Sequence, residues 1–161
     1  VKKIMLFTDG SVDVKTKIGF GAYLIVHNLE KSLDSLKNLV KVQRFENTSS
    51  TKLELQILLW ALQTIDAENC KVKVYTDSQN IIGLPERHER FEKNDYHNKK
   101  GKLIKNHQLY KDFFLQTNPI DIEFIKVRGH SKIAQKDNID KIFTTVDRAS
   151  RRALRNIKQL K

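Results

Sequence analysis

Two apolar runs in this chain end on Thr-Asp. They are Leu6-Phe7-Thr8-Asp9-Gly10-Ser11 and, far downstream, Val74-Tyr75-Thr76-Asp77-Ser78. An aspartate at a strand end can simply solvate the edge of a sheet, or it can be one ligand of a metal site assembled from several strand ends. Glu54 stands inside Leu53-Glu54-Leu55-Gln56-Ile57-Leu58-Leu59. A carboxylate in so apolar a stretch is costly to bury unless paired or bound to a cation, although first-turn capping and the helix dipole also account for an acid there. Asp147, in Val146-Asp147-Arg148-Ala149-Ser150, borders an apolar stripe, and pairing with Arg151 one turn on is its ordinary explanation. Taken together, clustered carboxylates repel and take up protons unless a cation neutralises them. Hard oxygen donors suit Mg²⁺ or Mn²⁺. Paired ions suit phosphodiester cleavage, one activating a water and the other stabilising the leaving 3′ oxygen. His130, after Val127-Arg128-Gly129, is either a surface residue or a proton carrier near a leaving group.

The elements that must position these residues follow from periodicity. Residues 3–8 and 20–26 are apolar runs with β character, joined through a polar turn at Lys15-Thr16-Lys17, and residues 39–45 alternate as a third strand. The polar cluster 47–51 is rich in N-cap residues, and Thr51 with Glu54 reads as a capping box. Residues 53–65 then form a helix apolar on almost every face, hence largely buried. Residues 72–75 return to strand. A short helix over 78–84 is stopped by Pro85, and charged helical pieces over 86–111 surround a basic loop. Residues 120–127 are a fifth strand, and apolar positions 142, 146, 149, 153, 157 and 160 mark a last helix. The order β-β-β-α-β-α-α-β-α implies an α/β domain over residues 1–161: an antiparallel three-stranded meander continued by parallel strands, flanked by helices. If the first and fourth strands are parallel neighbours, Asp9 and Asp77 emerge at one sheet edge.

The bulk numbers set limits. With 161 residues, 39% hydrophobic and 30% charged, the chain suits one globular domain. Its longest apolar run, residues 57–62, falls far short of the roughly 20 residues of a membrane span. One cysteine, Cys70, excludes an internal disulfide and a cysteine-rich zinc site, so a cytoplasmic setting is expected. A net charge of +11 favours polyanionic partners, nucleic acid first.

The ordered set Phe7-Thr8-Asp9-Gly10-Ser11, Gly19-Phe20-Gly21-Ala22-Tyr23, Leu53-Glu54-Leu55, Tyr75-Thr76-Asp77-Ser78-Gln79, Gly129-His130 and the Asp147 helix resembles the type 1 ribonuclease H family over nearly the whole chain. The resemblance implies the ribonuclease H-like fold with a five-stranded mixed sheet. It also implies endonucleolytic cutting of the RNA strand of RNA–DNA hybrids, with products bearing 5′-phosphate and 3′-hydroxyl. Two Mg²⁺ ions, for which Mn²⁺ may substitute, would be held by Asp9, Glu54, Asp77 and Asp147, with His130 assisting product release. The chain would act as a monomer with no membrane contact.

The segment Lys99-Lys100-Gly101-Lys102-Leu103-Ile104-Lys105 resembles the family's basic protrusion. Its lysines 99, 100, 102 and 105 would contact phosphates, with Phe91 and Tyr96 packed beneath rather than stacked on bases. Ser11, Ser50, Thr51 and Gln79 occupy positions that would touch the nucleic acid. Here the chain departs from the family. Val12-Asp13-Val14-Lys15 replaces the usual Gly-Asn-Pro-Gly, and Ser50 and Thr51 replace asparagines that help sense the minor groove and 2′-hydroxyls. Residues 131–145 are longer than the usual loop, and Asp137 and Asp140 within them lie off the clear amphipathic helix. Arg148, Arg151, Arg152 and Arg155 form either a second backbone-contact stripe or a solvated face. The rival reading is a nucleic-acid-binding module of the same fold with weak or altered nuclease activity on DNA or structured substrates.

Overall fold

The computed structural model describes residues 2–128 and 137–159. Its elements are β1 (Lys2–Asp13), β2 (Ile18–Val26), α1 (Leu33–Lys37), β3 (Lys41–Phe45), α2 (Ser50–Gln63), β4 (Cys70–Thr76), α3 (Gln79–Lys93), α4 (His107–Thr117), β5 (Asp121–Lys126) and α5 (Asn138–Gln159). One five-stranded sheet runs β3-β2-β1-β4-β5. Its meander half is antiparallel, and the β1–β4 and β4–β5 pairs are parallel.

Side-chain alternation along the strands divides the sheet into two covered faces. Ile4, Leu6, Tyr23, Val72 and Val74 face α2, α3 and α4 in the larger core. Phe7, Ala22, Leu24 and Tyr75 face α1 and α5 in the smaller one. Phe7 and Tyr75 stack at 4.8 Å across the β1–β4 pair.

β1 does not stop at Thr8. It runs through Asp9-Gly10 to Asp13, whose carboxylate accepts the Lys15 amide at 3.2 Å and the Thr16 hydroxyl at 3.1 Å to build the turn into β2. Gly10 permits this extension because α2 lies directly on the strand backbone there. A Cβ at Gly10 would sit 2.7 Å from both Leu53 and Ile57. The apolar helix is thereby drawn against the strand that carries Asp9. Buried leucines and isoleucines occupy most of its faces, and the lone tryptophan, Trp60, meets Tyr23 edge-on at 4.5 Å and Phe45 at 6.1 Å.

Several local expectations are corrected. The cap of α2 is Ser49, whose hydroxyl accepts the Lys52 amide at 3.3 Å. Thr51 is therefore already inside the first turn and exposed, and no Thr51–Glu54 capping box forms. A short α1 intervenes before β3, which starts at Lys41 rather than residue 39. Pro85 does not end α3, which continues to Lys93. Buried Ile81 and Leu84 before the proline and Phe91 after it hold both halves against one core. The Arg87 guanidinium also donates to the carbonyls of Asn80 (3.0 Å) and Gly83 (3.3 Å) in the disturbed turns. α5 begins at Asn138, earlier than its apolar period, because the Asp137 carboxylate accepts the Asp140 amide at 2.8 Å. Asp137 thus serves as a cap, and Asp140, expected off the helix, lies in its first turn.

Candidate active site

The parallel β1–β4 register ends at Phe7 opposite Tyr75. Two residues beyond each stand Asp9 and Asp77, so the two Thr-Asp sequences deliver their acids side by side where the strands part. Asp9 lies within β1 rather than at its end, paired across to Ala22 of β2. It shares the face of Phe7 and Ser11. The Ser11 hydroxyl lies 3.0 Å from that of Ser150, wholly buried on α5, whose hydroxyl also donates to the Asp147 carbonyl at 2.9 Å. This serine pair sets α5 against β1 and brings Asp147 to Asp9, and the two carboxyl groups share a hydrogen bond.

Glu54 reaches the same edge from the opposite face. Buried Ser78 joins three elements: its amide donates to the Thr76 hydroxyl (3.1 Å) and its oxygen accepts the Ile81 amide to cap α3 (3.2 Å). Its hydroxyl donates to Glu54 Oε2 at 2.6 Å. The four acids therefore stand near one another at the sheet edge: Asp77 acts electrostatically on both Glu54 and Asp9, and Asp147 acts on Asp9.

The electrostatics follow from that arrangement. Burial, then the bond to Asp147 and the charges of Asp77 and Asp147, push the Asp9 carboxyl from 3.8 up to about 9, against a smaller opposing pull from the Gly10 backbone. Burial and the Asp77 charge also raise Glu54, opposed by the Ser78 hydrogen bond. Asp147 is anchored on its outer side by Arg151, with Nε 3.0 Å from Oδ1. Among the described residues no three His, Cys, Asp or Glu side chains stand arranged to cage an ion. The four acids are neighbours at this edge, and burial with the bond to Asp147 and the charge of Asp77 favours the protonated form of Asp9.

The remaining sequence candidates are distributed around these acids. Ser50 and Thr51 are exposed at the start of α2, one turn before Glu54. Gln79 opens α3 beside Asp77, and its Oε1 accepts from Lys126 Nζ at 2.8 Å. Lys99, Lys100, Lys102 and Lys105 are exposed on the loop between α3 and α4. There the Asn98 side chain accepts the Lys100 and Lys102 amides at 2.9 and 3.0 Å, and Gly101 adopts φ 77°. Phe91 and Tyr96 are buried beneath that loop, as anticipated. His130 lies outside the described residues.

Sequence reading missed Ser78, Ser150 and Lys126. Ser78 had a weak local signal, a polar residue three positions before buried Ile81. The other two act through long-range contacts that leave none.

The family model described as RNase H matches residues 1–153. The chain is 29% identical over 147 residues to a ribonuclease H of Acetivibrio thermocellus, covering 89% of this chain and 94% of that protein. It is 30% identical over 142 residues to one of Pseudoalteromonas atlantica, covering 87% of each. A structure of the foamy viral protease-reverse transcriptase in complex with dsDNA aligns over 92% of both chains with a TM-score of 0.59 and 14% identity, a likeness of fold. By the family match over almost its entire length, the chain belongs to the RNase H family of nucleases.

Proposed function

We propose that this ribonuclease H cuts the RNA strand of RNA–DNA hybrids with the help of two Mg²⁺ ions held by Asp9, Glu54, Asp77 and Asp147. The observation that carries this reading is the convergence of four acids from β1, α2, the β4–α3 junction and α5 on one sheet edge in a basic protein. The donor set fits a hard divalent cation. It is all carboxylate oxygen, and its most buried member keeps a proton to about pH 9 in the absence of any cation.

Bound divalent ions supply Lewis acidity and a reactive water at the scissile phosphate. The chain's own part is to release the proton that burial and its neighbours favour on Asp9, and to hold Glu54 through Ser78 and Asp147 through Arg151. Hydrolysis places the water oxygen on phosphorus and breaks the bond to the 3′ oxygen, which leaves as a hydroxyl. On sequence alone, His130 is assigned to deliver that proton. Ser11, Ser50, Thr51 and Gln79 border the acids with hydroxyl and amide groups suited to sugar edges. With its Oε1 accepting from Lys126, Gln79 has its amide N–H groups to offer a substrate. The exposed lysines 99, 100, 102 and 105 hold the phosphate backbone.

Because Ser50 and Thr51 stand where the family carries asparagines, a second reading is a binding module with altered nuclease activity. Labelled RNA–DNA, RNA–RNA and DNA–DNA duplexes, incubated with Mg²⁺ or with chelator, separate the two. The proposal expects Mg²⁺-dependent cuts confined to the RNA of the hybrid. Cutting without added cation, or none in the hybrid, would sink it.

A further inference from the structure

Two helices present charge to solvent in different ways. α3 interleaves Glu86, Glu89 and Glu92 with Arg87, Arg90 and Lys93, the mixture of a solvated face. Beyond Asp147, α5 carries four arginines and no acid. Arg148, Arg152 and Arg155 are exposed and, among the described residues, make no ion pair, whereas Arg151 is held by Asp147. Their i, i+4, i+7 spacing puts the three guanidinium groups on one face, opposite buried Ile142 and Val146. They span about 10 Å of helix axis.

The helix dipole does not explain Arg148 and Arg152, since its influence is confined to the last turn and they stand about three and two turns before Gln159. The row begins immediately beside Asp147, on the α5 side of the sheet. The lysine loop is anchored through Tyr96 and Ile104 in the core on the other side.

We propose that Arg148, Arg152 and Arg155 form a second phosphate-backbone surface, which grips the nucleic acid flanking the cut site on the side opposite the lysine loop. Arginine suits this task because its planar fork pairs with phosphate oxygens in two-point contact. The inference rests on the nucleic-acid substrate proposed above and adds a contact surface to it.

The test is the salt dependence of binding. Fluorescence anisotropy of a labelled RNA–DNA hybrid is followed over rising KCl in chelator, with the wild-type chain and with Arg148→Ala/Arg152→Ala/Arg155→Ala. Alanine at exposed helix positions keeps the helix, as circular dichroism will verify. The slope of log affinity against log salt should fall by about 2 to 3, at roughly 0.9 per lost phosphate contact. The charge-preserving variant Arg148→Lys/Arg152→Lys/Arg155→Lys should keep most of the wild-type slope. A fall of less than about one in the alanine variant, or an equal fall in the arginine-to-lysine variant, overturns the assignment. The readout is binding alone. A wild-type chain that binds but fails to cut hybrids would therefore remove the proposed reaction and leave this surface standing, and an unchanged slope would do the reverse.

Discussion

Asp9 is the residue at which burial, a neighbouring carboxyl and a second negative charge all favour the same protonation state. Its folded pKa of about 9 lies above the ordinary 3.8, so the folded chain binds the proton more tightly than the unfolded one. The resulting stability is complete below pH 3.8 and is lost as pH rises through about 9. Asparagine mimics the protonated form at every pH. Asp9→Asn should therefore abolish Mg²⁺-dependent cutting. In chelator it should also raise the melting temperature, by several degrees near pH 8 and by less near pH 5. A thermal advantage that does not grow with pH would mean that Asp9 is not held protonated. The pair of Thr-Asp sequences and the acid inside an apolar helix were legible in the sequence, because carboxylates in such company already contradict ordinary burial. The bond from Ser78 to Glu54 and the Ser11–Ser150 pair were not legible. A hydroxyl gives no sign along the chain of which distant group it will meet.

At the scale of elements, the site depends on how closely α2 lies on the sheet. Gly10 and Gly21 leave the strand backbones bare where the helix crosses, and a methyl group at Gly21 would run into Ile57 Cγ1. Gly21→Ala should lower unfolding free energy in urea by about 1–3 kcal/mol, the usual range for overpacking a core. An unchanged denaturation midpoint would show that Ile57 yields freely. The succession of strands and helices along the chain and the buried nature of α2 could be read from periodicity, since period two and all-round apolarity are local properties, whereas the side-by-side placement of β1 and β4 is a long-range property that entered the sequence reading only as a condition. Pro85 misled because its local cost is real but is outweighed by Ile81, Leu84 and Phe91 packing into one core on either side of it. Thr51 misled because Ser49, two residues earlier, satisfies the helix amides first and leaves Glu54 available to Ser78.

The whole molecule combines a net charge of +11 with one acidic edge. Four carboxylates sit where the strands diverge, with exposed lysines anchored on one side and exposed arginines on the other. Changing Lys99, Lys100 and Lys102 together to alanine should weaken hybrid binding and flatten its salt dependence by about 2 to 3 in slope. Anisotropy titrations at two salt concentrations would detect it, and equal affinities for variant and parent would remove the loop from the binding surface. No described helix is long and apolar enough to cross a membrane.

The lone tryptophan gives this architecture a built-in optical gauge. Trp60 belongs to the helix that carries Glu54 and is wedged against Tyr23 and Phe45 from two strands of the meander. Lifting that helix from the sheet would move the indole into water and shift its emission to the red. Intrinsic fluorescence therefore distinguishes a variant whose chemistry has failed from one whose scaffold has come apart, without any attached dye.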